Sequence, residues 1–566
     1  MIGPKAPRNP EGKRKNFYIM RNKQVAGSPQ PDGTGVQTIF LNNGRLSSFA
    51  GIAGGIRDEE MLELLNSAEG FRKLVYSLGV SVESENPKET VDFVLQMYGQ
   101  SEGIPGTCHR VPIQADGMEY VVKLSEIQWG TADAVPGQLR FEFQKADSLA
   151  VVSVRLYLQE GFDAPEPEEE DEVDFESPEY ERMIEKSLMQ KGNNLRLKRV
   201  LEKARRGENV TVAFIGGSIT QGAWAIPINT MCYAYRTFEG FCALAGRGTE
   251  ENIHYVKAGV GGTSSELGMV RYKKEVCREG TVPPDLCVVE FAVNDEGDET
   301  EGESYDCLVR RMLLEENAPA VVLLFSVFTN DLNLQDRLKK VGEAYDLPMV
   351  SIKDCVVEQF YKKPGQGRVI SKAQFFYDIY HPNTNGHRVM ADCLLHLFKT
   401  VDKDSPDGEE LDIRRVKAPY GDEFTNLKFL DRCCAEEEIH IDCGDFSESD
   451  ADLQLVERDR NSFRTPEFTE NWMHVKGSRP FVMDIICSAL LIVEKDSGSP
   501  SVGCAEVFVD GEKVRTIDPH EVGWVHCNAL ICFRGRERKR HHVEIVMKPG
   551  DEDKEFTILG FGYVGE

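Results

Sequence analysis

An α/β fold, with a doubly wound parallel sheet between two β-rich flanks, is what this sequence predicts. Three observations carry the prediction. Apolar, β-branched runs alternate with helical patterns through the middle of the chain, the arrangement of a parallel sheet covered on both faces. The last third is built from short strand-like runs joined by turn residues. The 566 residues are too many for one ordinary core, and the composition shifts at two places along the chain.

The first shift is "DAPEPEEEDEVDFESPEYER", where prolines and dense carboxylates oppose core packing and predict a solvated linker. The second lies near "VDKDSPDGEELD". These cuts give a β-rich domain at 1–162, an acidic linker at 163–184, an α/β domain at 185–402 and a second β-rich domain at 403–566. In the first domain "DEEMLELLNSAEGFRKLVYSLG" reads as helical, while "QLRFEFQ" and "AVVSVRLYL" alternate as half-buried antiparallel strands do. In the α/β domain the strand runs are "VTVAFI", "IHYVKAGV", "LCVVEFAV", "AVVLLFSVF" and "PMVSI". "SYDCLVRRMLLEE" and "NLQDRLKKVGEAYD" are helical patterns between them. Five such units predict a flavodoxin-like sheet, in which ligands sit beyond the carboxyl ends of the strands at the switch between first and third. The last domain offers "HIDCG", "FVMDIICSALLIVEK", "CAEVFVDGEKVRTID", "NALICFRG" and "HHVEIVMK", with Asp-Gly marking a hairpin in the third. Both flanks read as β-sandwiches or jelly rolls.

Composition excludes several classes of function. Apolar residues at 41% and charged residues at 28% are the mix of a soluble globular protein. A formal net charge of −28 repels a nucleic-acid backbone, and the one basic cluster, "RGRERKRHH", reads as a solvated hairpin. The N-terminal stretch lacks an apolar leader core and no run of 18 apolar residues occurs, so neither membrane nor export is expected. The 15 cysteines form no C-x-x-C pair, and many sit in apolar runs; reduced thiols in the cytoplasm are the simplest account. The eleven histidines show no H-E-x-x-H spacing, and no metal or cofactor is expected.

The stretch "VTVAFIGGSITQG" ends a strand on two glycines and a hydroxyl. It lacks the lysine of a phosphate-binding loop and the glycine spacing of a dinucleotide fingerprint, and Thr220 replaces the last glycine of an α/β-hydrolase elbow. Ser218 must therefore be judged by distant partners. After the second strand comes "KAGVGGTSS", where Gly262 can present an unobstructed backbone N–H. After the third, "EFAVND" puts the Asn294 amide at a strand end, and "FFYDIYHPNTNGH" later sets Asp378 three residues before His381. Taken singly, each is an ordinary cap or turn residue. Their joint order on one edge of a parallel sheet is what points to acyl transfer, which needs a nucleophile, a base, an orienter and oxyanion donors.

In these four blocks, "GGSIT", "AGVGGTSS", "VND" and "DIYHP", the chain resembles the SGNH (GDSL-type) hydrolase superfamily over residues 213–387. The resemblance implies Ser218 as nucleophile, His381 as general base and Asp378 as its orienter. It implies the Ser218 N–H, the Gly262 N–H and the Asn294 side chain as oxyanion hole. Two departures stand out: Gly217 replaces the aspartate of the namesake motif, and Ala292 replaces a glycine of the third block.

The flanking β-rich domains and the lack of a long apolar lid favour a carbohydrate acetylesterase acting on an acetylated oligosaccharide. A thioesterase or lysophospholipase is the alternative within enzymes, and a non-catalytic glycan-binding protein the alternative outside them. Trp224, six residues after Ser218, is a candidate substrate contact, with a core role an equal alternative. Trp472 and Trp524 read as core or rim packing. The flanks are left with three roles: shaping the cleft, binding glycan, or forming a homo-oligomer.

Overall fold

The computed structural model describes residues 13–27, 37–42, 46–99, 105–146, 148–166, 170–245, 251–405, 409–434, 436, 438–458 and 464–565. The chain divides into two compact units, Met1–Ser177 with Gln359–Gly386, and Pro178–Glu358 with His387–Glu566.

Among the described residues, eight strands build the first unit: β1 (Asn16–Ala26), β2 (Gln37–Asn42), β3 (Val75–Ser84), β4 (Thr90–Gly99), β5 (Pro105–Gln114), β6 (Asp116–Lys123), β7 (Asp133–Phe143) and β8 (Leu149–Leu158). They form two antiparallel sheets in the orders β1-β8-β3-β6 and β2-β7-β4-β5. In β8, Ala150, Val152, Val154 and Leu156 are buried while Val151, Ser153 and Arg155 between them are not, the period of two that "AVVSVRLYL" announces. The expected helix from Asp58 to Gly79 is instead two short helices, Glu59–Leu64 and Ala68–Leu74, followed by β3. Ser67 accepts the Gly70 N–H and so starts a second helix where the first would have continued. Val75 and the alternation after it then suit a strand.

The second unit is centred on β9 (Leu188–Gln190), β10 (Val210–Gly216), β11 (Ile253–Gly259), β12 (Leu286–Glu290), β13 (Ala320–Phe325) and β14 (Met349–Ser351), in the order β11-β10-β12-β13-β14-β9. β10 to β14 run parallel and β9 closes the edge antiparallel. Every residue of β10, β12 and β13 is buried, which is why these strands read as continuous apolar runs. Register pairs Gly216 with both Gly259 and Glu290, so three strand ends meet on one line. The tail of the acidic stretch, Pro178–Glu185, is a helix that buries Tyr180, Met183 and Ile184.

The C-terminal part of this unit holds two antiparallel five-stranded sheets and a two-stranded ribbon. The long run from Phe481 to Asp496 breaks at Ser488, leaving Phe481–Cys487 in one sheet and Ala489–Asp496 in the other. Asp510 and Gly511 both take positive φ (56° and 82°) between paired strands, as a two-residue hairpin turn requires. The basic cluster is exposed between Arg534 and Arg540 except for a half-buried Arg536. It joins Phe533 and Lys539, strand ends of different sheets, so it is a crossing and not the expected hairpin. Trp472 is core, its ring 5.4 Å from that of Phe481. Leu427, Leu453, Leu491, Val493 and Leu559 share one buried cluster with Val256, Leu267 and Val289, so the β-rich part and the parallel sheet have a common core. Among the described residues no helix is long and apolar enough to cross a membrane.

Arg271, fully buried, reaches the ends of two strands: Nη2 donates to the Gly216 carbonyl at 2.7 Å and Nη1 to that of Ala258 at 2.6 Å. Glu275 balances its charge at 2.7 Å and also meets Arg458 of the β-rich part, which in turn pairs with Glu467. Removing one member of such a buried network leaves a charge uncompensated, at a cost of roughly 3–5 kcal/mol. Arg271→Met is therefore expected to lower the free energy of unfolding, measured by urea titration, by that order, and an unchanged value would show the network to be idle.

Candidate active site

β10 delivers Ser218 to the first turn of the short helix Ser218–Gln221. Beneath it, Thr220 Oγ1 lies 2.8 Å from the Tyr233 hydroxyl and 3.1 Å from Glu290 Oε2. Burial pushes the Glu290 carboxyl up to about 7, against the hydrogen bonds of Ser326 and Thr220.

Two loops close on this turn. After β11 the Val260 N–H donates to the Gly216 carbonyl at 3.1 Å, and Thr263 Oγ1 donates back to Val260 at 2.9 Å. A methyl group on Gly261 would stand 3.8 Å from Ser218 Cβ, so this loop runs alongside the serine. Gly262 holds φ at +76°, the left-handed region that side chains disfavour. After β12, Asn294 lies against the backbone of Gly217: a Cβ there would sit 2.3 Å from Oδ1 and 2.9 Å from Nδ2. Glycine at 217 is thus what lets the amide approach. Asp295 ties the two loops together, its carboxylate accepting from the Ser265 N–H and hydroxyl, each at 2.7 Å. Ser218, Gly262 and Asn294 are brought into one corner by these contacts.

Asp378 and His381 belong to the first unit. His381 Nδ1 lies 2.9 and 3.0 Å from the two Asp378 oxygens, and the N–H groups of Tyr380 and His381 donate to Oδ1 at 2.9 and 2.8 Å. Burial opposes ionisation of Asp378, yet the His381 ring and these bonds hold its carboxyl below the usual range. The carboxylate therefore faces a ring whose Nδ1 it fixes as a donor. Nothing in the sequence singles out Lys23, a buried residue of β1 whose ammonium donates to the carbonyls of Ala373 (2.9 Å) and Phe376 (2.5 Å) just before this turn. Burial brings Lys23 down to about 8, against the pull of Glu170 and Asp378.

Trp224 is half-buried, with φ at +64°. Trp524, read from sequence as core or rim packing, is not core: it is 46% exposed and stands at the Gly262 loop, where a side chain at 262 would meet its Cζ2 at 3.0 Å. Beside it His526 places Nε2 3.2 Å from the Gly262 carbonyl and Nδ1 2.8 Å from Asp496 Oδ2. Gln454 Nε2 donates to the Gly261 carbonyl at 2.8 Å. Gln454 and His526 leave no signal in the sequence because they come from strands and loops about 190 to 260 positions further along the chain. Among the described residues no group of three or more His, Cys, Asp or Glu side chains is placed to hold a metal ion.

No family model and no curated protein matches the chain. Solved structures do. A two-domain esterase (CEX) active on acetylated mannans superposes with a TM-score of 0.57 at 24% identity, over 68% of this chain and 98% of its own. Its form co-crystallised with mannopentaose gives 0.56 at the same identity and coverage. A catalytic mutant of the acetylxylan esterase Axe2 from Geobacillus stearothermophilus covers 34% of this chain and 95% of its own at 18% identity, with a TM-score of 0.26, too low to weigh on the fold. The fold is thus one shared with that two-domain esterase.

An acidic floor follows the Gly262 loop. Glu266 is buried, accepting from the Glu299 N–H at 3.0 Å and from the Ser264 hydroxyl at 3.2 Å. Burial, then Asp298, Glu299 and Asp295, push its carboxyl up to about 9; burial and Asp298 push Asp295 to about 7. A carboxyl whose folded pKa is raised contributes stability that is complete below its unfolded value near 4. That contribution is lost as pH climbs through the folded value. Glu266→Gln keeps the shape and removes the titration. Its melting temperature should gain on that of the parent steadily from pH 5 to pH 9; a constant difference across that range would contradict the assignment.

Proposed function

We propose that this protein is a serine esterase that removes acetyl groups from acetylated oligosaccharides. Ser218 attacks the ester carbonyl, His381 accepts its proton, and Asp378 holds the imidazole tautomer and stabilises the imidazolium. The N–H groups of Ser218 and Gly262 and the Asn294 amide receive the oxyanion, and the acyl-enzyme is then hydrolysed by water. The α/β core in this reading is a flavodoxin-like sheet, with its site beyond the strand ends at the switch point. The observation that carries the reading is the meeting of the Ser218 turn, the Gly262 loop and the Asn294 amide where β10, β11 and β12 end.

Two observations favour a carbohydrate substrate. The structurally similar two-domain esterase is active on acetylated mannans. Trp524 offers an exposed, flat ring at the Gly262 loop, where a sugar face can rest on it.

Two variants test the reading on two substrates. Acetate release from acetylated manno- and xylo-oligosaccharides should fall at least about 10³-fold in Ser218→Ala, as for loss of a catalytic nucleophile. Trp524→Ala should raise KM for the oligosaccharides while leaving 4-nitrophenyl acetate hydrolysis within about twofold of the parent, because binding away from the reacting ester is lost. Full activity in Ser218→Ala, or rapid cleavage of long-chain acyl esters alone, would overturn the assignment.

A further inference from the structure

Gln454 and the Gly262 N–H share one peptide unit through the Gly261 carbonyl, and this gives the C-terminal β-rich part a place in the chemistry. We propose that Gln454 is a positioning residue that orients and strengthens the Gly262 N–H as an oxyanion donor, an inference that rests on the esterase reading above.

The peptide between Gly261 and Gly262 is planar, and its carbonyl and N–H point in opposite directions. Whatever holds the Gly261 oxygen on one side therefore aims the Gly262 N–H on the other. Gln454 Nε2 holds it at 2.8 Å. The orientation of that amide is not ambiguous. Its Oε1 lies 2.8 Å from the Cys527 N–H, which can only donate, and its Nε2 faces a carbonyl, which can only accept. Gln454 is buried, so water competes little for either bond.

Two glycines in succession leave this peptide free to rotate unless it is held, and Gly262 sits at φ +76°. The next peptide is held as well, by His526 Nε2 at 3.2 Å from the Gly262 oxygen, with Asp496 behind the ring. Gly262 is thus fixed on both sides by side chains of the β-rich part. A hydrogen bond to a peptide carbonyl also polarises the unit and makes its N–H the stronger donor. The effect is larger on an oxyanion than on a ground-state carbonyl, so it belongs to kcat more than to KM.

The test uses the full chain with Gln454→Met, which fills the same space without a donor. Gln454→Glu, which keeps an acceptor for Cys527 but sets an oxygen against the Gly261 carbonyl, is the second variant. With 4-nitrophenyl acetate, kcat should fall at least about tenfold in the first and further in the second, while KM stays within about threefold. Affinity for a boronic-acid analogue of the tetrahedral intermediate should fall in parallel with kcat. Folded variants that keep kcat within twofold of the parent would overturn the proposal. Loss of cooperative unfolding in both variants would assign Gln454 to the fold and overturn it equally. A parent protein inactive on every ester would sink the esterase reading and this proposal together, whereas an active parent with unaffected variants sinks this proposal alone.

Discussion

The constraint on which the rest of the second unit depends is the buried guanidinium of Arg271. It donates to Gly216 and Ala258, residues at the ends of adjacent parallel strands, one step before the chain turns toward Ser218 and two before it enters the Val260–Gly262 loop. A charge with no access to water persists only where acceptors surround it, and here the acceptors are two strand-end carbonyls and Glu275. The position of the two loops relative to each other is thereby set by one rigid, planar group. Because Glu275 is shared with Arg458, the same network reaches into the β-rich part.

That reach explains an arrangement that is otherwise hard to account for. The β-rich part does not hang from the parallel sheet as an appendage; it shares its hydrophobic core and contributes Gln454, His526 and Trp524 at the Gly262 loop. In the first unit a comparable economy links β1 to the Asp378–His381 turn, through Lys23 and the carbonyls of Ala373 and Phe376. In both units a β-rich segment supports the backbone that presents candidate catalytic groups, which favours rigid placement of those groups.

Much of this was legible in the residues, and the rest was hidden for physical reasons. The strand runs ending at Gly216 and Glu290 declare themselves because strands buried on both faces are almost wholly apolar. The Asp510-Gly511 turn was readable because few residues accept two successive positive φ angles. The helix expected over Asp58–Gly79 failed on a local competition that a capping serine and a β-branched residue decided. The run from Phe481 to Asp496 read as one strand because apolarity does not reveal a change of sheet at Ser488. Ser218, Gly262, Asn294, Asp378 and His381 are candidates that local blocks single out, while Gln454, His526 and Lys23 make their contacts across long stretches of chain, where a single sequence carries no signal.

If Ser218 carries the acyl group, it can be trapped covalently. The full-length protein would be treated with a fluorophosphonate ester, digested, and mapped by mass spectrometry. One stoichiometric phosphonyl adduct is expected, on the peptide containing Ser218 and localised to that residue, with acetate release abolished in proportion to labelling. An adduct on another residue, or undiminished acetate release from fully labelled Ser218, would contradict it.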